Sequence, residues 1–215
     1  MKAELRGGLL NRDLVLLLCS QIIFVSAGAM TVTMAGIVGS RLAPNSALAT
    51  LPVSFMVLGT ALAAFPAAQF MRHLGRRAGF VSAALMAVLS CGLGYWGLTL
   101  SSFSLYCAGT GTLGISLAFS QQFRFAATET VTPKQAGSAV SLLLLGSVGG
   151  AIVGPELVAR SEQIRPEGGF VGALVGAAVL FVLAAFLLSQ LSLRGKGHTA
   201  DASPQTVNVS LSTIP

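Results

Sequence analysis

AGFVSAALMAVLSCGLGYWGLTLSSFSLYCAGTGTLGISLAFSQQF, residues 78–123, is the stretch that decides the fold: 46 consecutive positions without an Asp, Glu, Lys or Arg. A helix rises about 1.5 Å per residue, so crossing about 30 Å of hydrocarbon takes about 20 residues. This run is long enough for two crossings, and its GLTLSSFS segment at 97–104 supplies the hinge between them. Charge-free runs recur at 14–40, 42–71, 135–155 and 168–193. The spacing predicts helices over 14–38, 47–70, 78–96, 103–123, 135–158 and 169–191. Short alternating strands of the β-barrel kind are absent from the pattern. The fold class expected is therefore an all-α integral membrane protein with six transmembrane helices.

Composition excludes the main alternatives. Only 9% of the 215 residues are charged and 53% are hydrophobic, whereas a soluble domain carries roughly 25% charged residues. So little charge cannot coat a globule in water. The net charge of +6 comes from basic residues scattered between apolar runs, with no basic stripe, zinc-finger spacing or RNA-binding aromatic motif, so no nucleic-acid partner is expected. Cys19, Cys91 and Cys107 all lie within apolar stretches and show no C-x-x-C spacing; they read as small buried residues. The two histidines, His73 and His198, belong to no metal-ligand or Ser/His/acid constellation, so neither an enzyme nor a cofactor or metal site is expected.

Topology follows from the basic residues. With the N-terminus cytoplasmic, Lys2, Arg6, Arg12, Arg72, Arg76, Arg77, Arg124, Lys134, Arg194 and Lys196 fall inside, and Arg41, Arg160 and Arg165 fall outside. Ten against three is the bias of the positive-inside rule. It places both termini in the cytoplasm of a multi-pass protein, as in a bacterial inner membrane. The first apolar run lasts 27 residues, 14–40, longer than the core of a signal peptide, and reads as a first transmembrane helix. The domains are then a cytoplasmic segment at 1–13, a six-helix unit at 14–192 and a disordered cytoplasmic tail at 193–215.

The spans are rich in small residues. Gly146, Gly150 and Gly154 recur every four positions in the fifth span, and Gly168, Gly172 and Gly176 do the same in the sixth. Each series forms a flat strip along one helix side, where neighbouring backbones can come close. Pro155 directly follows the first series; its missing amide marks a kink or a helix end. Polar candidates for a solute path are few. Gln21 lies deep in the first span on the side of Gly28 and Val32, where it either lines a cavity or bonds to a neighbouring helix. Gln121, Gln122 and Arg124 close the fourth span. Arg124 either snorkels to the interface or presents its guanidinium inward. Glu156 and Arg160 are four apart, the spacing of an intrahelical ion pair.

Six helices, an inside N-terminus and a basic Gly-Arg-Arg loop between the second and third spans resemble the N-terminal half of a major facilitator superfamily transporter. That family's loop motif runs approximately G-x-L-a-D-r-x-G-r-r. Here Gly75, Arg76 and Arg77 match its end, while Ala68 stands at the first Gly, Phe70 at the Leu, Arg72 at the acidic position and His73 at the next basic one. Gly150, Gly154 and Pro155 resemble the first half of the g-x-x-x-G-P-x-x-G-G motif of many antiporters, and Val158 and Ala159 occupy its last two glycine positions. The resemblance spans about residues 12–192. It implies half of a twelve-helix fold that moves a small solute by alternating access, as a fragment or half-transporter working with a second half or a second copy. It further implies that Arg72, Gly75, Arg76 and Arg77 belong to a cytoplasmic gate motif, in which Arg72 replaces the acidic partner. Glu129, at the cytoplasmic end of the fourth span, is an acceptor within reach of Arg76 and Arg77, and the alternative is that the arginines only anchor the loop inside. The competing class is a noncatalytic assembly or regulatory subunit, held in the lipid by the same glycine faces.

Overall fold

The computed structural model describes residues 11–164 and 169–192. Helix α1 runs Arg12–Leu42, α2 Leu51–Leu74, α3 Arg76–Thr99, α4 Phe103–Ser120, α5 Phe123–Thr130, α6 Ala136–Ile164 and α7 Gly169–Ser189. Short 3-10 turns at Ser46–Leu48 and Pro133–Gln135 lead into α2 and α6, and no strand occurs among the described residues. The fold is all-α, with six long helices and the short α5.

Local chemistry sets the helix ends. Asn11 caps α1, its side chain accepting from the Asp13 amide, and Asp13 itself lies in the first turn, where the helix dipole favours a carboxylate. Pro52 stands at the start of α2, where its missing amide is harmless. Ser102 caps α4 by accepting from the Leu105 amide at 3.4 Å. Between α2 and α3 the reversal falls on Gly75 alone, at φ +87°, a conformation that favours glycine.

Five stretches are long and apolar enough to cross a membrane: Arg12–Leu42, Ser46–Leu74, Arg76–Thr99, Pro133–Ser161 and Phe170–Ser189. The sixth long helix, α4, is the shortest of the six, at 18 residues, and Ser, Thr and Gly recur along it. It lies between α2 and α3 and presents those small residues to them, so it needs less apolar surface toward lipid.

The pairings have an internal symmetry. α1 packs on α6 as α4 packs on α2, α1 packs on α7 as α4 packs on α3, and α3 meets α7. Exchanging α1 with α4, α2 with α6 and α3 with α7 leaves this pattern unchanged. Three crossings separate the members of each pair, so the two three-helix repeats run in opposite senses across the membrane.

Close backbone approach makes the two strongest equivalent pairings. A Cβ at Gly59 would run into the Gly111 carbonyl, and one at Gly114 into the Met56 carbonyl, joining α2 to α4. At the equivalent junction, a Cβ at Gly150 would lie 2.7 Å from the Ile22 carbonyl oxygen, and one at Gly154 would strike the Ser26 carbonyl, joining α6 to α1. Each junction also carries a side-chain bond. Thr60 donates to the Gly114 carbonyl at 2.9 Å, and Gln21 Nε2 donates to Ser147 Oγ at 2.9 Å. Between the repeats, the buried rings of Phe24, Phe80, Phe123 and Phe181 meet, with Phe24 5.5 Å from Phe123 and 5.2 Å from Phe181, and Phe80 4.5 Å from Phe123.

Several boundaries differ from expectation. The span expected over 103–123 is broken: α4 stops at Ser120, Gln121 and Gln122 form a turn, and α5 restarts at Phe123. The helix expected to end near 158 continues through Pro155 to Ile164, so Pro155 is not a helix end. Proline removes one helical hydrogen bond, and the turns on both sides hold the helix through it. The hinge expected over 97–104 narrows to the turn at Leu100–Ser102, with Ser101 at φ +50°. Gly172 and Gly176 meet no heavy atom within 4 Å of a Cβ, so the glycine face expected to pack in the last span is open within this chain. Gly168, most of the 1–13 segment and all of the 193–215 tail lie outside the described residues.

The contrast between the two glycine series is testable. Gly150→Leu is expected to lower the thermal-aggregation midpoint of the detergent-solubilised protein, overpacking of this kind amounting to about 1–3 kcal/mol. Gly176→Leu, into open space, is expected to leave the midpoint unchanged.

Candidate functional site

The residues singled out in the sequence fall into two regions. The first lies at the Gly75 reversal. Arg76, in the first turn of α3, places two basic residues, itself and Arg77, where the helix dipole disfavours them. A partner offsets this for Arg76: Nε donates to Glu129 Oε2 at 2.6 Å and Nη2 to Glu129 Oε1 at 2.5 Å. The two parallel bonds form the fork geometry that arginine provides and lysine does not. They tie the start of α3 to the last turn of α5, across 53 residues of sequence. Arg72, His73 and Arg77 are exposed, and among the described residues none of them makes an ion pair. Arg72 and His73 occupy the last turn of α2, where the dipole favours cations.

The second region is the α1–α6 junction. Gln21 is buried, its amide nitrogen held by Ser147, while its carbonyl oxygen finds no partner among the described residues. The bond to Ser147 bridges α1 and α6. Gly150 and Gly154 lie one and two turns along α6, against Ile22, Ser26 and Ala29. Pro155 follows in the same helix, and Glu156 pairs with Arg160 at 2.9 Å on the exposed surface. Gly28 packs against Leu117 of α4, 3.5 Å from its Cβ position.

Gln121, Gln122 and Arg124 join neither region. They sit at and just beyond the break between α4 and α5; Gln121 and Arg124 are exposed and Gln122 is half-buried. No hydrogen bond links them to Gln21 among the described residues. Neither does a group of three His, Cys, Asp or Glu side chains come together there to hold a metal ion.

Sequence reasoning missed a third set of contacts, at the ends of α1, α5 and α7. Asp13 is buried and accepts from the Ser192 amide at 3.2 Å and the Ser192 hydroxyl at 2.7 Å. Arg12 donates to Gln190 Oε1 at 3.1 Å, and Asn11 Nδ2 to the Thr130 carbonyl at 3.2 Å. Asp13 was visible as an acid flanking the first apolar run. Its partner, 179 residues away, leaves no local signal. At the opposite end of α1, Arg41 lies over the Phe170 ring, 5.1 Å from its centroid.

No family model matches the sequence. Among known proteins, the chain is 37% identical over 181 residues to the riboflavin transporter RfnT of Brucella anthropi, covering 84% of this chain and 46% of that protein. It is 26% identical over 192 residues to the uncharacterized MFS-type transporter YddS of Bacillus subtilis, covering 86% and 43%. A second protein of that organism, the uncharacterized MFS-type transporter YdeG, is 27% identical over 199 residues, covering 86% and 44%.

The chain is a major-facilitator-type transporter homologue. It spans about half the length of the curated relatives it matches. Its six long helices and their inverted pairing agree with half of the twelve-helix major facilitator fold. In the loop that resembles the family's gate motif, Arg76 is the arginine with a carboxylate partner among the described residues.

That distinction between neighbours is measurable. In a double-mutant cycle read by unfolding of the purified protein, Arg76→Ala and Glu129→Ala are expected to couple by about 0.5–1 kcal/mol, the upper part of the range for partly exposed pairs. Arg77→Ala and Glu129→Ala are expected to add without coupling.

Proposed function

We propose that this six-helix unit is one half of an alternating-access transporter for a small, uncharged polar solute, working with a second six-helix half in a bacterial inner membrane, both termini cytoplasmic. The observation that carries the reading is the pair of helices left uncovered. Only 17% of the most apolar stretch of the Ser46–Leu74 and Pro133–Ser161 spans is buried, against 50% for the Arg12–Leu42 span. These two helices, α2 and α6, are exchanged by the internal symmetry, so the open faces are equivalent surfaces of the two repeats. Leu62 and Phe65 on α2 and Leu145 and Ile152 on α6 stand out from them. A second half seated there would complete a central path between two halves that rock against each other.

In this reading the Arg76–Glu129 pair holds one state of the cytoplasmic gate, and Arg72, at the family's acidic position, removes one carboxylate from the usual relay. Gln121, Gln122 and Arg124 border the cytoplasmic mouth, and Gln21 lies further along the path. The ten-to-three basic bias supports the orientation. The substrate class draws support from the long uncharged spans and from the Brucella anthropi relative, whose name gives riboflavin, a solute without net charge, as its cargo.

The test is uptake of labelled riboflavin by a bacterial riboflavin auxotroph without its own flavin uptake, expressing this chain fused to the second half of the Brucella anthropi transporter. Uptake above the empty-vector level is expected, reduced by Arg76→Lys at equal membrane yield. A fusion that inserts and purifies as a single folded species yet moves no riboflavin would reject the substrate class.

A further inference from the structure

Tyr106 of α4 is 1% exposed, and its hydroxyl meets no hydrogen-bonding partner among the described residues. A buried phenol oxygen of this kind ordinarily has a partner. The position of the ring shows where one would sit. The Tyr106 backbone rests against Gly97 of α3, whose added Cβ would lie 2.7 Å from the Tyr106 nitrogen, and the ring edge at Cε2 comes 3.9 Å from the Cβ position of Gly94. The side chain therefore lies along α3 between Gly97 and Gly94. There a small cavity opens, lined by Thr31 of α1, Ser90, Cys91 and Gly94 of α3, and Tyr106 and Thr110 of α4, among others. It gives about 10 Å³ of room for a water's centre, roughly what one water needs.

The donors and acceptors around it match a single occupant. Thr31, Ser90 and Thr110 have already committed their protons within their own helices, to the Ala27 carbonyl at 2.9 Å, the Ala87 carbonyl at 2.7 Å and the Cys107 carbonyl at 2.9 Å. What each hydroxyl has left is a lone pair. The Tyr106 hydroxyl has a proton and no acceptor. A molecule that accepts one hydrogen bond and donates two satisfies the Tyr106 hydroxyl and two of the three oxygens, and in a space of this size that molecule is water.

We propose that this cavity is the binding site of one structural water. It accepts from the Tyr106 hydroxyl and donates to two of the Thr31, Ser90 and Thr110 oxygens. The site lies where the two repeats meet, since α1 and α3 belong to the first and α4 to the second. It adds a hydrogen-bonded link between α1, α3 and α4 to the direct bonds that join the repeats elsewhere.

Two measurements test the proposal on the purified protein. X-ray radiolysis generates hydroxyl radicals from bound waters, which oxidise adjacent side chains even when these are buried. Oxidation of Tyr106 or Cys91 is expected, with Phe24, equally buried in an apolar surround, unmodified. In thermal unfolding, Tyr106→Phe and Thr110→Val are each expected to lower the midpoint, and the double variant to fall by less than their sum, because either change dismantles the same bridge. Failure of both Tyr106 and Cys91 to oxidise overturns the site. So does a Tyr106→Phe protein as stable as the parent or more so, which marks the hydroxyl as simply unpaired, or additive losses in the cycle.

Discussion

Everything in this structure depends on helix backbones coming close enough to touch. In lipid, burying a leucine against another leucine gains little, because the hydrocarbon outside is equally apolar; association rests on dispersion contact and a few hydrogen bonds. Both need proximity. At Gly59, Gly114, Gly150 and Gly154 a methyl group would collide with a carbonyl of the facing helix, and these positions make the α2–α4 and α1–α6 junctions. The side-chain bonds of Thr60 to the Gly114 carbonyl and of Gln21 to Ser147 form at the same two junctions. They require the approach that the glycines permit.

Charge acts at the margins of this arrangement. The Arg76–Glu129 fork and the Asp13–Ser192 bonds lie at helix ends, joining α3 to α5 and α1 to the chain just beyond α7. The two contacts differ in kind. Arg76 and Glu129 are partly exposed, so water competes for both partners and the pair can open at little expense. Asp13 is buried and held by an amide and a hydroxyl, and breaking those bonds would leave a carboxylate without partners. The first suits a contact that exchanges between states. The second suits a fixed joint within the unit.

Much of the fold was legible in the sequence because a membrane imposes one strong rule: a crossing needs length without charge. The run at 78–123 had to contain two helices, and the four-residue period of Gly146, Gly150 and Gly154 had to present a flat face. Where the sequence misled, the missing information was the identity of the neighbour. Gly172 and Gly176 have the same period, yet nothing in this chain covers them; spacing specifies a flat surface and says nothing of its occupant. Gly59 carries an equally close contact, but its companions at four-residue spacing, Ala63 and Ala67, are alanines, a weaker signal than a glycine series. The break at Gln121–Gln122 involves neither Gly nor Pro. It places Phe123 among the buried rings of Phe24 and Phe80, a tertiary effect. Glu129 was readable as an acceptor for the loop arginines. Which guanidinium reaches it is settled by the positive φ at Gly75 and the phase in which α3 leaves it.

The most direct test of the backbone-contact account is a disulfide across the α2–α4 junction. The Cβ position of Gly111 lies 3.8 Å from the Cβ of Phe55, about the mean separation in a disulfide. In a protein with Cys19, Cys91 and Cys107 replaced, Phe55→Cys combined with Gly111→Cys should cross-link under mild oxidation in native membranes, as read by peptide mass spectrometry. If both new thiols instead react with a membrane-permeant alkylating reagent and no cross-link forms, α2 and α4 do not make this contact and the account fails.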